Sequence, residues 1–142
     1  MTGKITLTMI KPGAVSRNHT GAILKMICDA GFRISAMRMT RLSLKQAEAF
    51  YLVHKDRPFY ASLTRYMSSG TIIAAILEKE NAVNDYRKLI GATNPAEAAE
   101  GTIRRLYAES TESNAVHGSD SDENAVTESD FFFPKSERAA LL

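Results

Sequence analysis

The sequence predicts an α/β or α+β domain, and three observations carry that expectation. Ile5, Leu7 and Met9 alternate with Thr6 and Thr8, the period-two pattern of a half-buried strand. Thr71 to Leu77 carries apolar residues on both parities, as a central strand covered on both faces does; a buried helix is the competing reading, but the run is short and of strand length. Between and after these runs, apolar residues recur at helical spacing, so strands and helices alternate without internal repeats or low-complexity linkers.

The first strand should end near Ile10–Lys11, because Pro12 cannot donate to a ladder. Lys11 keeps the parity of Leu7 and Met9, so a cation stands where an apolar side chain is expected. It either snorkels to water or reaches a buried anion. Ile23, Met26, Ile27 and Ala30 mark a helix that Gly31 stops. Phe32 to about Leu42 reads as a second strand. Ser43 and Gln46 have the capping-box spacing, followed by Leu44, Ala47 and Tyr51 on one helix face. Pro58 suits the first turn of the next helix, which aligns Phe59, Leu63 and Met67 and ends at Gly70. After the central strand, Asn81 is placed to cap a helix bearing Val83, Tyr86 and Ile90, stopped at Gly91. Residues 91–118 read as irregular, with Thr93-Asn94-Pro95 as a turn and brief helical pieces; so long a loop is usually functional. Ser121 then starts a last helix, with Asp122 and Glu123 in its first turn, reaching about Phe131.

The 142 residues are expected to form one domain, 1–142, long enough to bury roughly two-thirds of the extended chain's surface. Hydrophobic residues at 44% and charged residues at 24% exclude disorder and fibrous repeats. The longest purely apolar run, Ile72 to Leu77, is far short of the roughly 18 residues of a membrane span. No signal peptide is expected, since the first residues alternate and carry Lys4 and Lys11. One cysteine, Cys28, excludes an internal disulfide, and His19, His54 and His117 make no zinc spacing. The reading is a soluble, cytoplasmic domain. Its charge is uneven: residues 1–107 hold sixteen Lys/Arg against eight Asp/Glu, and residues 108–142 hold two against eight. The basic body suits a polyanionic ligand, although it equally fits plain charge scatter.

Phosphate-binding devices are limited by the glycines. No GxGxxG loop and no GxxxxGK[ST] segment occurs, so a nucleotide would be held without a P-loop or a Rossmann turn. The richest stretch is Asn114-Ala115-Val116-His117-Gly118-Ser119-Asp120-Ser121. Taken alone, His117 is a surface histidine in a polar turn. Two features favour chemistry: Gly118 lets another group approach the ring closely, and the following helix start gathers groups that could orient an imidazole.

Asn-x-x-His-Gly-Ser-Asp resembles the active-site signature of nucleoside diphosphate kinases. Ile10-Lys11-Pro12, Asp56-Arg57-Pro58-Phe59, Tyr66-Met67-x-Ser69-Gly70, Leu89-Ile90-Gly91-Ala92-Thr93-Asn94-Pro95 and Gly101-Thr102-Ile103-Arg104 are also similar to that family, in the same order, over about residues 4–133. The resemblance implies a ferredoxin-like sandwich: a four-stranded antiparallel sheet covered by helices on one face, with extra helices around a nucleotide cleft and a short fourth strand near Asn114–Val116. It implies transfer of the terminal phosphate of a nucleoside triphosphate to a nucleoside diphosphate by a ping-pong route.

By that resemblance His117 is the phosphate carrier, Glu128 orients its ring and Ser119 assists. Without it, Glu128 is a solvated helix carboxylate. Lys11 and Tyr51 match residues near the transferred phosphate, while Arg87, Thr93 and Arg104 match phosphate binders. His54 falls where some members direct a histidine at the phosphates. Phe59 matches the base-stacking residue, Leu63 and Thr111 line other parts of the cleft, and Asn114 with Lys11 reaches the ribose hydroxyls. Mg2+ is implied as a cofactor held by the nucleotide's own oxygens and water, with no protein metal ligands. The expected partners are nucleoside di- and triphosphates and further copies of the chain, as a tetramer or hexamer, with neither membrane nor nucleic acid required. The sequence departs from the family at Gly13, often Asp or Asn, at Arg105-Leu106, commonly Gly-Asp, and in lacking a longer tail after Phe133. A binding module that senses nucleotides or RNA is the alternative. Against it, RNA-binding sheets cluster aromatics on strands, and this chain places most of its aromatics on helices and near its C-terminal end.

Overall fold

A computed structural model describes residues 3–138. The strands are β1 (Ile5–Ile10), β2 (Arg33–Thr40), β3 (Ile72–Glu78) and β4 (Val116–Gly118). They form one sheet in the order β2-β3-β1-β4, with every neighbouring pair antiparallel. The helices are α1 (Pro12–Ser16), α2 (Thr20–Asp29), α3 (Leu44–Phe50), α4 (Tyr60–Met67), α5 (Ala82–Ile90), α6 (Ile103–Tyr107) and α7 (Asp122–Phe132). The first strand therefore reaches its second across β3, which is the ferredoxin-like arrangement the resemblance implies.

β1 and β3 fill the middle of the sheet, and helices cover both of its faces, where a covering on one face was expected. On one face Ile10, Ile73, Ala75 and Leu77 meet Ile23 and Ile27 of α2 and Tyr86 and Ile90 of α5. On the other Leu7, Met9, Ala74 and Ile76 meet Ala47 of α3, Leu63 and Met67 of α4 and Phe132 of α7. Each fully buried Leu or Ile in these layers contributes about 1.5–3 kcal/mol. The central burial of β3 matches its two-sided apolar pattern.

Several expectations are corrected. β1 is not half-buried: Thr6 and Thr8 are fully buried, because α2 and α5 cover their face. Thr8 Oγ1 meets the Tyr86 hydroxyl at 2.6 Å and donates to the His117 carbonyl at 2.9 Å. β2 stops at Thr40, short of Leu42. Pro58 lies outside α4: the Arg57 carbonyl accepts the Tyr60 N–H at 3.1 Å, so Pro58 occupies the second position of a β-turn, where its fixed φ is favoured. Asn81 precedes α5 in a left-handed conformation, φ 56°, and makes no side-chain cap. The Ser43–Gln46 capping box is present at the start of α3.

The fourth strand begins two residues later than expected. Ala115 has φ 75°, and the Val116 N–H donates to the Asn114 carbonyl at 2.9 Å across it. Such a three-residue turn cannot continue a ladder, so β4 starts at Val116 and carries His117 opposite Met9. The Lys11 N–H donates to the Ala115 carbonyl at 2.8 Å, pinning this turn to the end of β1.

Candidate active site

Strand β4 and helix α7 bring a histidine and a carboxylate together. His117 Nε2 lies 2.8 Å from Glu128 Oε1, and both side chains are largely buried, at 16% and 18% exposed. The Ser119 hydroxyl donates to the same Glu128 oxygen at 2.7 Å and accepts the Leu7 N–H at 3.0 Å. A nitrogen facing a carboxylate carries the ring proton, so Nδ1 keeps the lone pair. A neutral imidazole held in that tautomer is a nucleophile of fixed orientation. Gly118, beside it, packs under α5, where an added Cβ would lie 3.1 Å from Ile90 and Tyr86 atoms. The close approach therefore comes from α5.

Lys11 stands at the junction of β1 and α1, with Pro12 as the first residue of the helix. Its side chain is buried, with Nζ donating to the Glu112 carbonyl at 3.4 Å. Burial, and secondarily the Arg104 charge, lower its pKa to about 7, while the Glu112 carboxylate opposes the shift. Arg104, on α6, donates to the Gly91 carbonyl at 2.9 Å and the Val116 carbonyl at 3.0 Å. Burial draws its pKa down to about 10, so it remains charged at neutral pH. The Asn114 amide donates to the Thr93 carbonyl at 3.2 Å, joining the loop after α5 to the turn before β4.

Three buried polar atoms here have no hydrogen-bond partner: the Tyr51 hydroxyl, Arg104 Nε and Asn114 Oδ1. Burial first, then the Glu128 charge, push the Tyr51 phenol pKa up, so it stays a donor. An unmet buried polar group costs about 1–3 kcal/mol, a cost that a ligand of matching polarity removes.

These residues line a cleft of about 590 Å³. Lys11, Tyr51, Arg87, Thr93, Arg104, Asn114, His117 and Glu128 all border it, as do His54, Phe59, Leu63 and Thr111. Ser119 is the exception among the sequence's candidates: it is fully buried behind Glu128. Phe59 is 45% exposed, with the His54 ring 5.5 Å away. Arg105 does not border the cleft; its guanidinium donates to the Ala96 carbonyl at 3.4 Å. Phe50, Val53, Glu112, Asp120 and Asn124 also line the cleft and were missed. Asp120 lies inside the Asn-x-x-His-Gly-Ser-Asp signature, which was a usable signal. Phe50 offered none, because its neighbours come from distant parts of the chain.

Buried cations, hydroxyl and amide donors, and an exposed aromatic ring suit a ligand with several phosphates and a planar ring. Among the described residues no group of three or more His, Cys, Asp or Glu could hold a metal ion. The donor set fits phosphate oxygens. Among the described residues no helix is long and apolar enough to cross a membrane.

A family model described as nucleoside diphosphate kinase matches residues 4–138. The nucleoside diphosphate kinase of Flavobacterium psychrophilum is 59% identical over 133 residues, covering 94% of this chain and 96% of that one. That of Chlorobaculum tepidum is 59% identical over 132 residues, covering 93% and 94%. Among solved structures, the Aquifex aeolicus nucleoside diphosphate kinase superimposes with a TM-score of 0.94 at 39% identity, covering 96% of this chain and 99% of that one. The Encephalitozoon cuniculi enzyme gives 0.92 at 33% identity, covering 97% and 94%.

Proposed function

The chain belongs to the nucleoside diphosphate kinase family, whose reaction is phosphotransfer between nucleotides, and from this premise we propose how its own residues perform that reaction. His117 Nδ1 attacks the γ-phosphorus of a nucleoside triphosphate, and the bond from that phosphorus to the bridging oxygen breaks as the diphosphate leaves. A second diphosphate then attacks the same phosphorus, and the N–P electron pair returns to Nδ1. The observation that carries this reading is the His117–Glu128 pair, which holds Nε2 and presents Nδ1.

Glu128 stabilises the cation that forms on the ring, and Ser119 fixes Glu128. Lys11 and the Tyr51 hydroxyl meet the charge developing on the transferred phosphoryl group. Arg87, Thr93 and Arg104 hold the phosphates, with His54 on the same side. Each arginine–phosphate bond is worth about 1.5–3 kcal/mol net. Asn114 and Lys11 meet the ribose hydroxyls, and Phe59 stacks on the base while Leu63 and Thr111 complete the walls. Stacking is nearly blind to base identity, which suits an enzyme that maintains all triphosphate pools. Mg2+ would be held through the nucleotide's phosphate oxygens and water rather than by protein side chains, and would supply charge neutralisation there.

The chain acts as one domain with one site, in the cytoplasm where its nucleotide substrates are held. It assembles as a tetramer or hexamer of identical chains. Met37 and Met39, 53% and 66% exposed on the edge strand β2, support that assembly. Light scattering at micromolar concentration checks it; a monomer would count against it.

The deciding experiment mixes the protein with Mg2+ and terminally radiolabelled ATP, then denatures it. A base-stable, acid-labile label on the wild type and none on His117→Ala is expected, with nucleotide binding nearly intact in the variant. Label on His19 or His54, or transfer by His117→Ala, sinks the assignment.

A further inference from the structure

Phe50 is the last residue of α3, and no motif or spacing marks it. Its ring centroid lies 5.3 Å from the His117 ring at 78° and 4.9 Å from the Tyr51 ring at 75°. Tyr51 also meets the His117 ring nearly perpendicularly, at 84° and 6.2 Å. Consecutive residues of a continuing helix point about 100° apart and do not share a target. Here α3 ends at Phe50, Tyr51 follows as its C-cap with φ −96°, ψ 19°, and both rings meet one histidine. Phe50 is backed in turn by Phe131 at 5.3 Å and Phe132 at 5.6 Å, both at the end of α7. The helix that supplies Glu128 thus also holds the apolar side of the cage.

A hydrogen bond at Nε2 fixes one point of the imidazole and leaves its tilt free. The perpendicular Phe50 ring restrains that tilt, in the edge-to-face geometry aromatic pairs prefer. It packs on a His117 side chain that is only 16% exposed beside an open cleft. That shielding matters to the chemistry. In transfer, a diphosphate oxygen forms a bond to phosphorus as the N–P bond breaks. In hydrolysis a water oxygen does the same, releasing orthophosphate and a proton while the electron pair returns to Nδ1. The two reactions differ only in the attacking oxygen, and an apolar wall offers water no hydrogen-bond partner.

Resting on the reading above, we propose that Phe50 is a positioning residue that walls the His117 ring and withholds water from its phosphorylated form, so that phosphate passes to a nucleotide and not to solvent. The test uses the full-length protein labelled with terminally radiolabelled ATP and freed of nucleotide. Orthophosphate release without acceptor is followed first, then transfer after a nucleoside diphosphate is added. Phe50→Ala should release orthophosphate at least about tenfold faster than the wild type, while transfer, from a ring held less firmly, slows by no more than about tenfold. Phe50→Leu, which restores apolar bulk, should recover the long-lived label. If Phe50→Ala does not fold, Phe50→His replaces it, since its polar ring should bring the same acceleration. An unchanged release rate, or release and transfer falling together, overturns the role of Phe50. A wild type that takes no label defeats the proposed function instead, so the two failures are distinct.

Discussion

Glu128 Oε1 stands 2.8 Å from His117 Nε2 across the gap between α7 and β4. Because the Ser119 hydroxyl donates to the same oxygen at 2.7 Å, that oxygen accepts from both neighbours and must be a pure acceptor. Glu128→Gln replaces it with a group that can turn either its oxygen or its NH2 to the ring. With the NH2 inward, the proton moves to Nδ1 and the nucleophile is lost. The variant should show kcat lowered about 10²-fold with KM changed less than about twofold, by steady-state kinetics. An unaltered kcat would show that the tautomer needs no such partner.

Lys11 gives a pH dependence of definite sign. Its pKa falls from 10.5 to about 7 in the folded, nucleotide-free protein, chiefly through burial. Between about pH 7 and 10.5 the unfolded chain therefore binds the proton that the folded chain has released. Stability must rise with pH through that window, and the penalty is fully present below about pH 7. An anionic phosphate beside Lys11 favours the charged form again. Nucleotide binding at pH 8 should take up protons, and affinity should weaken as pH climbs above 7. Titration calorimetry in buffers of different ionisation enthalpy measures the uptake. Lys11→Met should abolish it while raising the melting temperature of the nucleotide-free protein at pH 6. No uptake by the wild type would contradict the assignment.

Several of these features were visible before the structure, and the physical reason differs for each. β3 was legible because both of its parities are apolar over a run of strand length, too short for a buried helix. The start of α3 was legible because Ser43 and Gln46 must both be present for the reciprocal cap. The burial of Thr8 was not, since a hydroxyl bound to Tyr86 reads in sequence like one facing water. Nor was the start of β4, because an alanine gives no sign of a positive φ. The cleft residues came from family resemblance, except that Lys11 was marked independently by its register and His117 by the glycine and helix start that follow it. Phe50 was invisible, because its meaning lies in contacts with His117 and the end of α7.

Gly13, where the family often has Asp or Asn, fits a crowded corner. Its N–H donates to the Tyr66 hydroxyl at 2.8 Å, and that hydroxyl lies 2.8 Å from Ser113 Oγ. A Cβ at Gly13 would stand 2.7 Å from both oxygens. Ser113 can rotate away, but the Tyr66 ring is stiff and must shift, taking the hydrogen bond with it. Gly13→Ala should lower stability by about 1–2 kcal/mol, read by urea denaturation. Because α1 follows directly on Lys11, KM for nucleotides should rise as well. A variant as stable as the wild type would mean that this corner yields freely.

Phe59 separates base recognition from chemistry. Its ring is 45% exposed at the cleft and carries none of the groups placed at the transferred phosphate. Base–aromatic stacking is worth about 1–3 kcal/mol and depends little on which base is stacked. Phe59→Ala should therefore weaken binding of all four nucleoside diphosphates by roughly 5- to 150-fold, with similar factors for purines and pyrimidines. The label on His117 should still form at saturating ATP, since the phosphate-binding residues are untouched. Equilibrium dialysis against each diphosphate, beside single-turnover labelling, makes the comparison. A loss confined to one base, or a labelling rate at saturation that falls as far as affinity, would mean that Phe59 reads or positions more than a stacked ring.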